Sequence, residues 1–208
     1  MIFKDRFDAA ERLAEKLQKY KGSKDGIILA IPRGALQTGY VLAKRLQLPL
    51  DIILTKKIGH PDNSELAIGA VSLTSEIIDP DFRDVSREYI KKEVKEIRQN
   101  LRERSQQYRG TKFFSDLKDK IVILVDDGIA TGHTMSAAID LVKEEKLKKI
   151  IVAIPVGPWE RIEMLKKRAD EVICLSVPEN FTAIGQFYRD FPQVDDEEAI
   201  GLLRKMNE

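Results

Sequence analysis

The sequence predicts an α/β fold in which helices cover both faces of a doubly wound, mainly parallel sheet. Two observations lead to this prediction: five apolar runs show no alternation of polar and apolar residues, and segments with helical periodicity lie between most of them. Apolar runs without alternation are typical of parallel strands, because both faces of such a sheet are covered. Strands that alternate with helices favour the doubly wound arrangement.

The predicted strands and helices follow one another regularly along the chain. The five predicted strands cover residues 26–31, 50–55, 121–125, 150–156 and 171–177. Two helices are indicated by apolar residues at helical spacing, before the first strand and after the third: Phe7, Ala10, Ala14 and Leu17, then Met135, Ala138, Ile139 and Val142. About 65 residues separate the second predicted strand from the third, which is far more than a simple crossover needs. We therefore expect an insertion at about residues 57–112.

The insertion is predicted to contain a loop, two short strands and a long helix. Residues 56–65, KKIGHPDNSE, are predicted to be a loop because they contain Gly, Pro and Asn. Residues 66–73 and 76–79 could pair as antiparallel strands, and a charged helix should run from about residue 84 to 109. One stripe of that helix is apolar: Ile90, Val94, Ile97, Leu101 and Tyr108. Either packing on the rest of the chain or a partner or dimer contact explains the stripe.

Length and composition limit the classes of protein that the chain can represent. With 208 residues, of which 43% are hydrophobic and 33% charged, we expect one folded domain over residues 1–208. The net charge of +1 indicates no broad basic surface, so nucleic acid is not an expected partner. The opening segment is charged throughout and no apolar run could span a membrane, so a cytoplasmic protein without a membrane partner is expected. The single cysteine, Cys174, is expected to be a small buried apolar residue.

Two adjacent aspartates, Asp126 and Asp127, directly follow the apolar run IVILV. Ligands collect at the carboxyl ends of strands in open α/β sheets. Gly128 and Gly132 permit a tight loop, and such a loop at the start of a helix turns free backbone N–H groups toward one point, which suits a phosphate. The carboxylates would repel that phosphate unless they bind another part of the same ligand. A ribose 5-phosphate meets both conditions, because its hydroxyls can donate hydrogen bonds to carboxylates.

Other phosphate motifs fit the sequence less well. A Walker A loop requires a Lys after its last Gly, and none follows Gly132, while the dinucleotide pattern Gly-x-Gly-x-x-Gly does not occur. Haloacid dehalogenase phosphatases place their two acids two residues apart, although phosphohydrolase chemistry stays a weaker alternative. The ribose phosphate interpretation requires that the amides of residues 130–134 are not bonded within the fold. It also requires that Asp126 and Asp127 do not turn inward onto Lys or Arg.

The segment VILVDDGIATGHT resembles the binding motif for 5-phosphoribosyl 1-diphosphate (PRPP) in type I phosphoribosyltransferases. The aliphatic run, the two acids and the Thr-Gly-x-Thr sequence coincide in register. The resemblance implies that Asp126 and Asp127 hold the ribose hydroxyls. It also implies that the loop after Gly128 cradles the 5'-phosphate with Ala130, Thr131, Gly132, His133 and Thr134. His133 stands where many members have Gly or another small residue, but only its backbone N–H is required.

The family has a second loop, which binds the diphosphate, and PRGA after the first strand matches it. Gly34 would let the backbone approach an anion and Arg33 would supply donors, although Arg33 could equally be a surface cation. The resemblance also implies a non-proline cis peptide in this loop. Lys56 and Lys57 stand where the family has a basic residue facing the diphosphate, and the sequence does not say which of them does so.

Two further regions have counterparts in such proteins, one in a bacterial subgroup and one in the family as a whole. KKIGHPDNSELAIGAVS is similar to the flexible catalytic loop of that subgroup, which could close and exclude water, and His60 is either a general base or a mobile surface residue. Residues from about 176 to 208 correspond to a hood over the acceptor, in which Tyr188 could stack on a base. Tyr188, Phe191 and Trp159 could instead pack in the core. The acids of residues 195–198 are predicted to be the first turn of a final helix rather than a metal site.

The resemblance implies transfer of a 5-phosphoribosyl group from PRPP to a nitrogen acceptor, expected to be a nucleobase, with release of diphosphate. Mg²⁺ is expected to arrive with the diphosphate, without direct side-chain ligands. The expected catalytic groups are Asp126 or Asp127 beside the ribose, and Arg33 with Lys56 or Lys57 beside the diphosphate. A regulator of the same fold that senses PRPP or nucleotides without turnover is the alternative. A homodimer is expected only because dimers are usual among relatives.

Overall fold

A computed structural model describes residues 1–82, 85–110 and 116–207 of the chain. Its strands, numbered in chain order, are β1 (Gly26–Ala30), β2 (Leu50–Ile52), β3 (Lys56–His60), β4 (Asn63–Val71), β5 (Glu76–Ile78), β6 (Ile121–Val125), β7 (Lys149–Val156) and β8 (Glu171–Ser176). Its α-helices are α1 (Arg6–Lys16), α2 (Ala35–Leu46), α3 (Arg87–Arg109), α4 (His133–Lys143), α5 (Trp159–Lys166) and α6 (Asp196–Asn207). Each of the five predicted core strands is present, and β2 ends three residues before the predicted end at residue 55.

The main sheet has five strands in the order β2-β1-β6-β7-β8, and each neighbouring pair is parallel. From β1 the chain crosses through α2 to the edge strand β2, whereas from β6 it crosses through α4 to β7 on the other side. The direction of winding therefore changes between β1 and β6, and the predicted doubly wound fold is confirmed. Ligands bind outside the carboxyl ends of the strands at such a switch point.

Helices cover both faces of this sheet, because alternate residues of each strand point to opposite sides. Ile28 and Ala30 of β1 pack in one core with residues of α1, α2, α3 and α6. Ile27 and Leu29 pack in a second core with residues of α4 and α5. Both faces of the central strands are thus removed from water, which explains why their sequences are apolar throughout.

The predicted insertion forms a second sheet beside the first. Its strands lie in the order β3-β4-β5, and both pairs are antiparallel. The antiparallel pairing predicted for residues 66–73 and 76–79 is confirmed by β4 and β5. This small sheet contacts α3 through β3 and β4, and α4 through β4 and β5.

The prediction of a loop at residues 56–65 is wrong. These residues form β3, a turn at Pro61 and Asp62, and the start of β4. Ile58 is completely buried, and a Cβ on Gly59 would lie 2.8 Å from the Ser64 carbonyl oxygen. Pairing with β4 bonds backbone groups that a loop would leave to water, so Gly and Pro mark a tight hairpin in this segment.

The long charged helix is confirmed as α3, which begins at Arg87; residues 83–84 and 111–115 lie outside the described residues. The Ser86 side chain caps it by accepting a hydrogen bond from the Tyr89 amide at 3.4 Å. The apolar stripe faces inward, and four of its five residues are buried: Val94, Ile97, Leu101 and Tyr108. Packing within the chain, partly on α6, therefore explains the stripe.

The start of the chain pairs with the predicted hood, which the structure describes up to residue 207. The Phe3 amide donates to the Phe187 carbonyl at 2.8 Å, and the Arg189 amide donates to the Phe3 carbonyl at 2.9 Å. Phe3, Phe187 and Tyr188 form a third buried cluster together with Ala9 and Val156. We propose that these contacts and the shared cores make residues 1–208 one domain.

Three smaller expectations are also tested by the structure. The helix α1 is present, but Phe7 is 40% exposed, and Ala9 and Leu13 are buried on the inner face with Ala10. Cys174 is only partly buried in the edge strand β8; burial raises the pKa of its thiol to about 11. None of the described helices combines the length and apolar character needed to cross a membrane.

Candidate functional site

The loops that follow β1 and β6 leave the sheet side by side. Ala30, the last residue of β1, is paired with Val125, the last residue of β6. The Ile31 amide donates to the Val125 carbonyl at 3.2 Å, so the two chains stay together one residue further. The predicted diphosphate loop and the predicted acids therefore meet at the switch point of the sheet.

The loop between β6 and α4 presents free amides at the start of a helix. Gly132 has a φ of 76°, a left-handed conformation that favours glycine, and α4 begins at His133. The Ser136 amide donates to the Gly132 carbonyl at 2.9 Å. No residue within the described ranges accepts a hydrogen bond from the amides of residues 130–134. Ala130, Thr131, His133 and Thr134 are exposed. This part of the structure therefore meets the condition for a phosphate site.

Asp126 and Asp127 occupy different environments although they are neighbours. Asp126 is partly exposed, and one of its oxygens accepts a hydrogen bond from the Asp127 amide at 2.8 Å. Burial, followed by the negative charge of Asp127, raises the pKa of Asp126 well above the ordinary value of an aspartate. Asp126 is thus an acid whose proton is more tightly held than usual, at the mouth of the site.

Asp127 is turned inward onto an arginine. Its side chain is 12% exposed, and its Oδ2 accepts a hydrogen bond from Arg6 Nε at 2.7 Å. Its backbone carbonyl accepts a hydrogen bond from the Tyr188 hydroxyl at 2.6 Å. The requirement that neither acid be paired with Lys or Arg is therefore not met by Asp127, and only Asp126 is left without such a partner in the described part of the chain.

The predicted diphosphate loop packs against the ion pair of Asp127 and Arg6. The peptide between Pro32 and Arg33 is cis, as the resemblance implies. A Cβ on Gly34 would collide with Asp127 Oδ2 and would lie 3.2 Å from Arg6 Nε. Gly34 is therefore needed for the two loops to approach, a reason separate from access of the backbone to an anion.

Arg33 lies beside the acidic start of the last helix. Its Nη1 is 3.7 Å from Asp196 Oδ2, and both side chains are more than a third exposed. Asp196 also accepts a hydrogen bond from the Tyr108 hydroxyl at 2.5 Å. The predicted acidic first turn is confirmed, since α6 begins at Asp196. Arg33 is therefore near a weak, solvent-screened partner that a diphosphate could replace.

Lys56 and Lys57 are the first two residues of β3 and are both exposed. Successive side chains of a strand point to opposite faces, so only one of the two lysines can face the loop after β1. His60 ends the same strand, and its Nδ1 accepts a hydrogen bond from the Asp62 amide at 3.2 Å. Its ring centroid is 6.1 Å from that of Phe82. These contacts tie His60 to the hairpin turn.

The hood aromatics pack on one another rather than presenting open faces. Tyr188 is buried, its ring stacks on Phe191 at 4.7 Å between centroids, and Phe3 lies 5.4 Å from it on the N-terminal side. The prediction that Tyr188 stacks on a base does not hold for this arrangement, because the protein already covers the ring. Trp159, at the start of α5, is 62% exposed.

Arg6 is the residue that sequence reasoning missed. It is one of many charges in the opening segment, and nothing in its spacing distinguishes it from Arg12 or Lys4. Its partner lies 121 residues away in the sequence. Only the packing of α1 against the sheet places Arg6 beside Asp127, so a single sequence carries no signal for this contact.

The fold and the site together define a class of protein: a doubly wound α/β protein in which free amides, a carboxylate and a cation lie together at the switch point. Residues 2–192 match the family model of the phosphoribosyl transferase domain. The chain therefore belongs to the phosphoribosyl transferase domain family, as its motif predicted.

Similar proteins cover nearly the whole chain. The solved structure of TT1426 from Thermus thermophilus is 38% identical, with a TM-score of 0.89 and 99% coverage of both chains. The curated protein Rv0571c of Mycobacterium tuberculosis H37Rv, named only provisionally as a phosphoribosyl transferase, is 35% identical over 206 residues. The same identity is found with MT0597 of strain CDC 1551. This alignment includes 97% of the chain and 46% of the relative, so the chain spans about half the length of these curated relatives.

Proposed function

We propose that this protein transfers a 5-phosphoribosyl group from PRPP to a nitrogen acceptor, with a nucleobase as the acceptor, and releases diphosphate. Membership of the phosphoribosyl transferase domain family supports the proposal. The observation that carries it is the placement of unbonded amides, a partly exposed carboxylate and the Arg33 loop at one switch point. These three groups match the phosphate, the ribose and the diphosphate of PRPP.

The 5'-phosphate would bind at the start of α4. The amides of residues 130–134 point to no acceptor in the described structure, and the hydroxyls of Thr131 and Thr134 add donors. The ribose hydroxyls would donate to Asp126, in charge-assisted bonds that are each worth about 1.5–3 kcal/mol. Asp127, paired with Arg6, would hold the loop behind Asp126 in place.

The diphosphate would bind to Arg33, to the backbone at Gly34, and to Lys56 or Lys57. No three His, Cys, Asp or Glu side chains of the described residues are grouped to hold a metal ion. The Mg²⁺ ion that the family resemblance implies would be held mainly by substrate oxygens and water. Bound in that way, the ion would neutralise charge on the departing diphosphate.

The chemistry would rest on position and charge. As the diphosphate leaves, positive charge develops on the ribose ring, and the carboxylate of Asp126 would face that charge. The cations of the β1 loop and of β3 stabilise the leaving group. The acceptor nitrogen then forms its bond with the sugar carbon that the diphosphate has left, and the proton it carried passes to the released diphosphate or to water.

Calorimetry with PRPP and Mg²⁺, followed by measurement of diphosphate release with a panel of nucleobases, tests this proposal. The wild type should bind PRPP and release diphosphate with at least one base. Asp126→Asn should weaken PRPP binding by about tenfold or more, because it removes a charged acceptor. Asp81→Asn is the matched control, since Asp81 is exposed in a short 3₁₀ helix of the insertion. Binding without release for every base would favour a sensor, and no binding at all would refute the proposal.

A further inference from the structure

We infer that Arg6 is a positioning residue of the ribose site: it holds Asp127 inside the fold and leaves Asp126 as the acid that meets the sugar. The inference rests on the proposed function and extends it to a helix that follows neither of the ligand loops. It assigns different tasks to two aspartates that look equivalent in sequence.

The guanidinium of Arg6 is fixed on three sides. Nε donates to Asp127 Oδ2 at 2.7 Å, and Nη1 donates to the Pro192 carbonyl at 2.8 Å. The guanidinium carbon lies 3.6 Å from the centroid of the Phe191 ring. The side chain is 5% exposed, so neither water nor a substrate can replace these partners without moving the hood. Arg6 therefore joins the acid of the site to the segment of residues 191–192.

Asp127 is also held by several contacts. Its carboxylate packs against Gly34 on one side and receives Arg6 on another, while the Tyr188 hydroxyl donates to its carbonyl at 2.6 Å. A swing of Asp127 toward a sugar would break a buried ion pair and leave the Arg6 charge without its partner. Asp126 has no such constraint and stands at the partly exposed position. The geometry thus selects Asp126 for the ribose hydroxyls.

The charge of Arg6 also bears on Asp126. Burial and then the Asp127 charge raise the pKa of Asp126, and the guanidinium of Arg6 acts in the opposite direction. Removal of Arg6 would therefore leave two neighbouring carboxyls to compete for protons at the place where a sugar requires an ionised acceptor. A neutral Asp126 is a weaker acceptor, so Arg6 would influence sugar binding without touching the sugar.

A double-mutant cycle on PRPP binding tests this inference. We expect Arg6→Gln and Asp127→Asn each to weaken binding of PRPP with Mg²⁺ by about tenfold, and the double variant to lose far less than the two losses combined. Binding of inorganic phosphate, which uses the amides of residues 130–134, should not change in Arg6→Gln. The acid limb of PRPP binding should move to higher pH in Arg6→Gln, an effect that a purely structural role would not produce.

The controls use the same helix. Arg12 is 43% exposed and pairs with Asp8 at 3.0 Å, so Arg12→Gln should leave PRPP binding unchanged. Arg6→Lys keeps the positive charge but loses a hydrogen bond, so its PRPP affinity should lie between those of the wild type and Arg6→Gln. If Arg6→Gln does not fold, Arg6→Lys takes its place in the experiment.

The results of these experiments distinguish failure of the inference on Arg6 from failure of the proposed function. If the wild type binds PRPP but the losses of Arg6→Gln and Asp127→Asn simply add, or Arg6→Gln has no effect, the inference on Arg6 is refuted and the proposed function stands. If the wild type binds no PRPP, both are refuted.

Discussion

At the scale of single residues, Asp126 has opposite effects on stability and on binding. Its pKa is raised in the folded chain, mainly by burial, so the folded state binds the proton more tightly than the unfolded state does. Its contribution to stability is therefore present below the ordinary aspartate pKa of about 3.9 and is lost as the pH rises through the higher folded value. A residue that lowers stability at neutral pH is typical of a ligand site.

We predict that Asp126→Asn increases the free energy of unfolding at neutral pH, while it weakens PRPP binding. The gain should shrink as the pH falls, because the wild-type carboxyl is then protonated in both states. Urea unfolding of both proteins over a series of pH values measures this difference. A variant that is less stable than the wild type at neutral pH would contradict the assignment of a raised pKa.

Gly34 allows a second prediction at this scale. A Cβ at residue 34 would meet Asp127 and Arg6, so Gly34→Ala should lower the free energy of unfolding by about 1–3 kcal/mol, as overpacking does. Gly201→Ala in α6 is the matched control, because no atom lies within 4 Å of a Cβ there, and it should stabilise by about 0.5–1 kcal/mol. Chemical unfolding measures both, and equal effects of the two substitutions would show that crowding at Gly34 is unimportant.

The residues of the candidate ligand loops could be named from sequence, because Gly, Asp and Thr directly after a buried strand resemble the PRPP motif of phosphoribosyltransferases. The side-chain partners of those residues could not be predicted from sequence. The pairing of Asp127 with Arg6, and of Tyr188 with Phe3, depends on distances between segments that are far apart in the chain. Such distances are set by packing, which periodicity does not report.

At the scale of elements, α3 is fastened to the sheet by a buried ion pair at its last residue. Arg109 Nε donates to Asp51 of β2 at 2.7 Å, and Nη2 donates to the Ile52 carbonyl at 2.6 Å. Both side chains are less than 10% exposed. The pair links the end of the insertion to the edge of the main sheet.

We predict that Arg109→Met lowers the free energy of unfolding by about 3–5 kcal/mol, because it removes one member of a buried ion pair. Arg102→Met, at an exposed position of the same helix, should change stability by less than about 0.5 kcal/mol. Thermal unfolding followed by circular dichroism compares the two. Similar midpoints for both variants would mean that the ion pair does not secure α3.

The helix itself could be predicted, since its apolar stripe and its length are properties of neighbouring residues. The hairpin of β3 and β4 could not, because the local preference of Gly59, Pro61 and Asn63 for turns was outweighed by pairing with a strand further along. Ile58 is the buried residue of β3, and its burial is evident only in the structure.

At the scale of the whole molecule, the opening residues of the chain hold the hood in place. Phe3 is completely buried against Tyr188 and neighbouring hood residues, although most of the chain separates them in sequence. We predict that Phe3→Ala costs about 3–5 kcal/mol of unfolding free energy. It should also weaken PRPP binding, because Tyr188, which it supports, bonds the Asp127 carbonyl.

Phe7→Ala is the control for this prediction, because Phe7 is 40% exposed and lies in the same part of the chain. Its effect should stay near about 1 kcal/mol or below. Unfolding and calorimetry on both variants test the two parts separately. Loss of stability in Phe3→Ala with unchanged PRPP affinity would show that the hood and the ribose site are independent.

The contact between Arg6 and the Pro192 carbonyl spans 186 residues, so the site joins a helix to a segment that is translated much later. A chain still emerging from the ribosome would have both aspartates and the phosphate loop well before it had the segment that fixes Arg6. We therefore expect nascent chains halted before residue 188 to bind no sugar phosphate with native affinity. The protein would become competent for its ligand only after that segment has been translated.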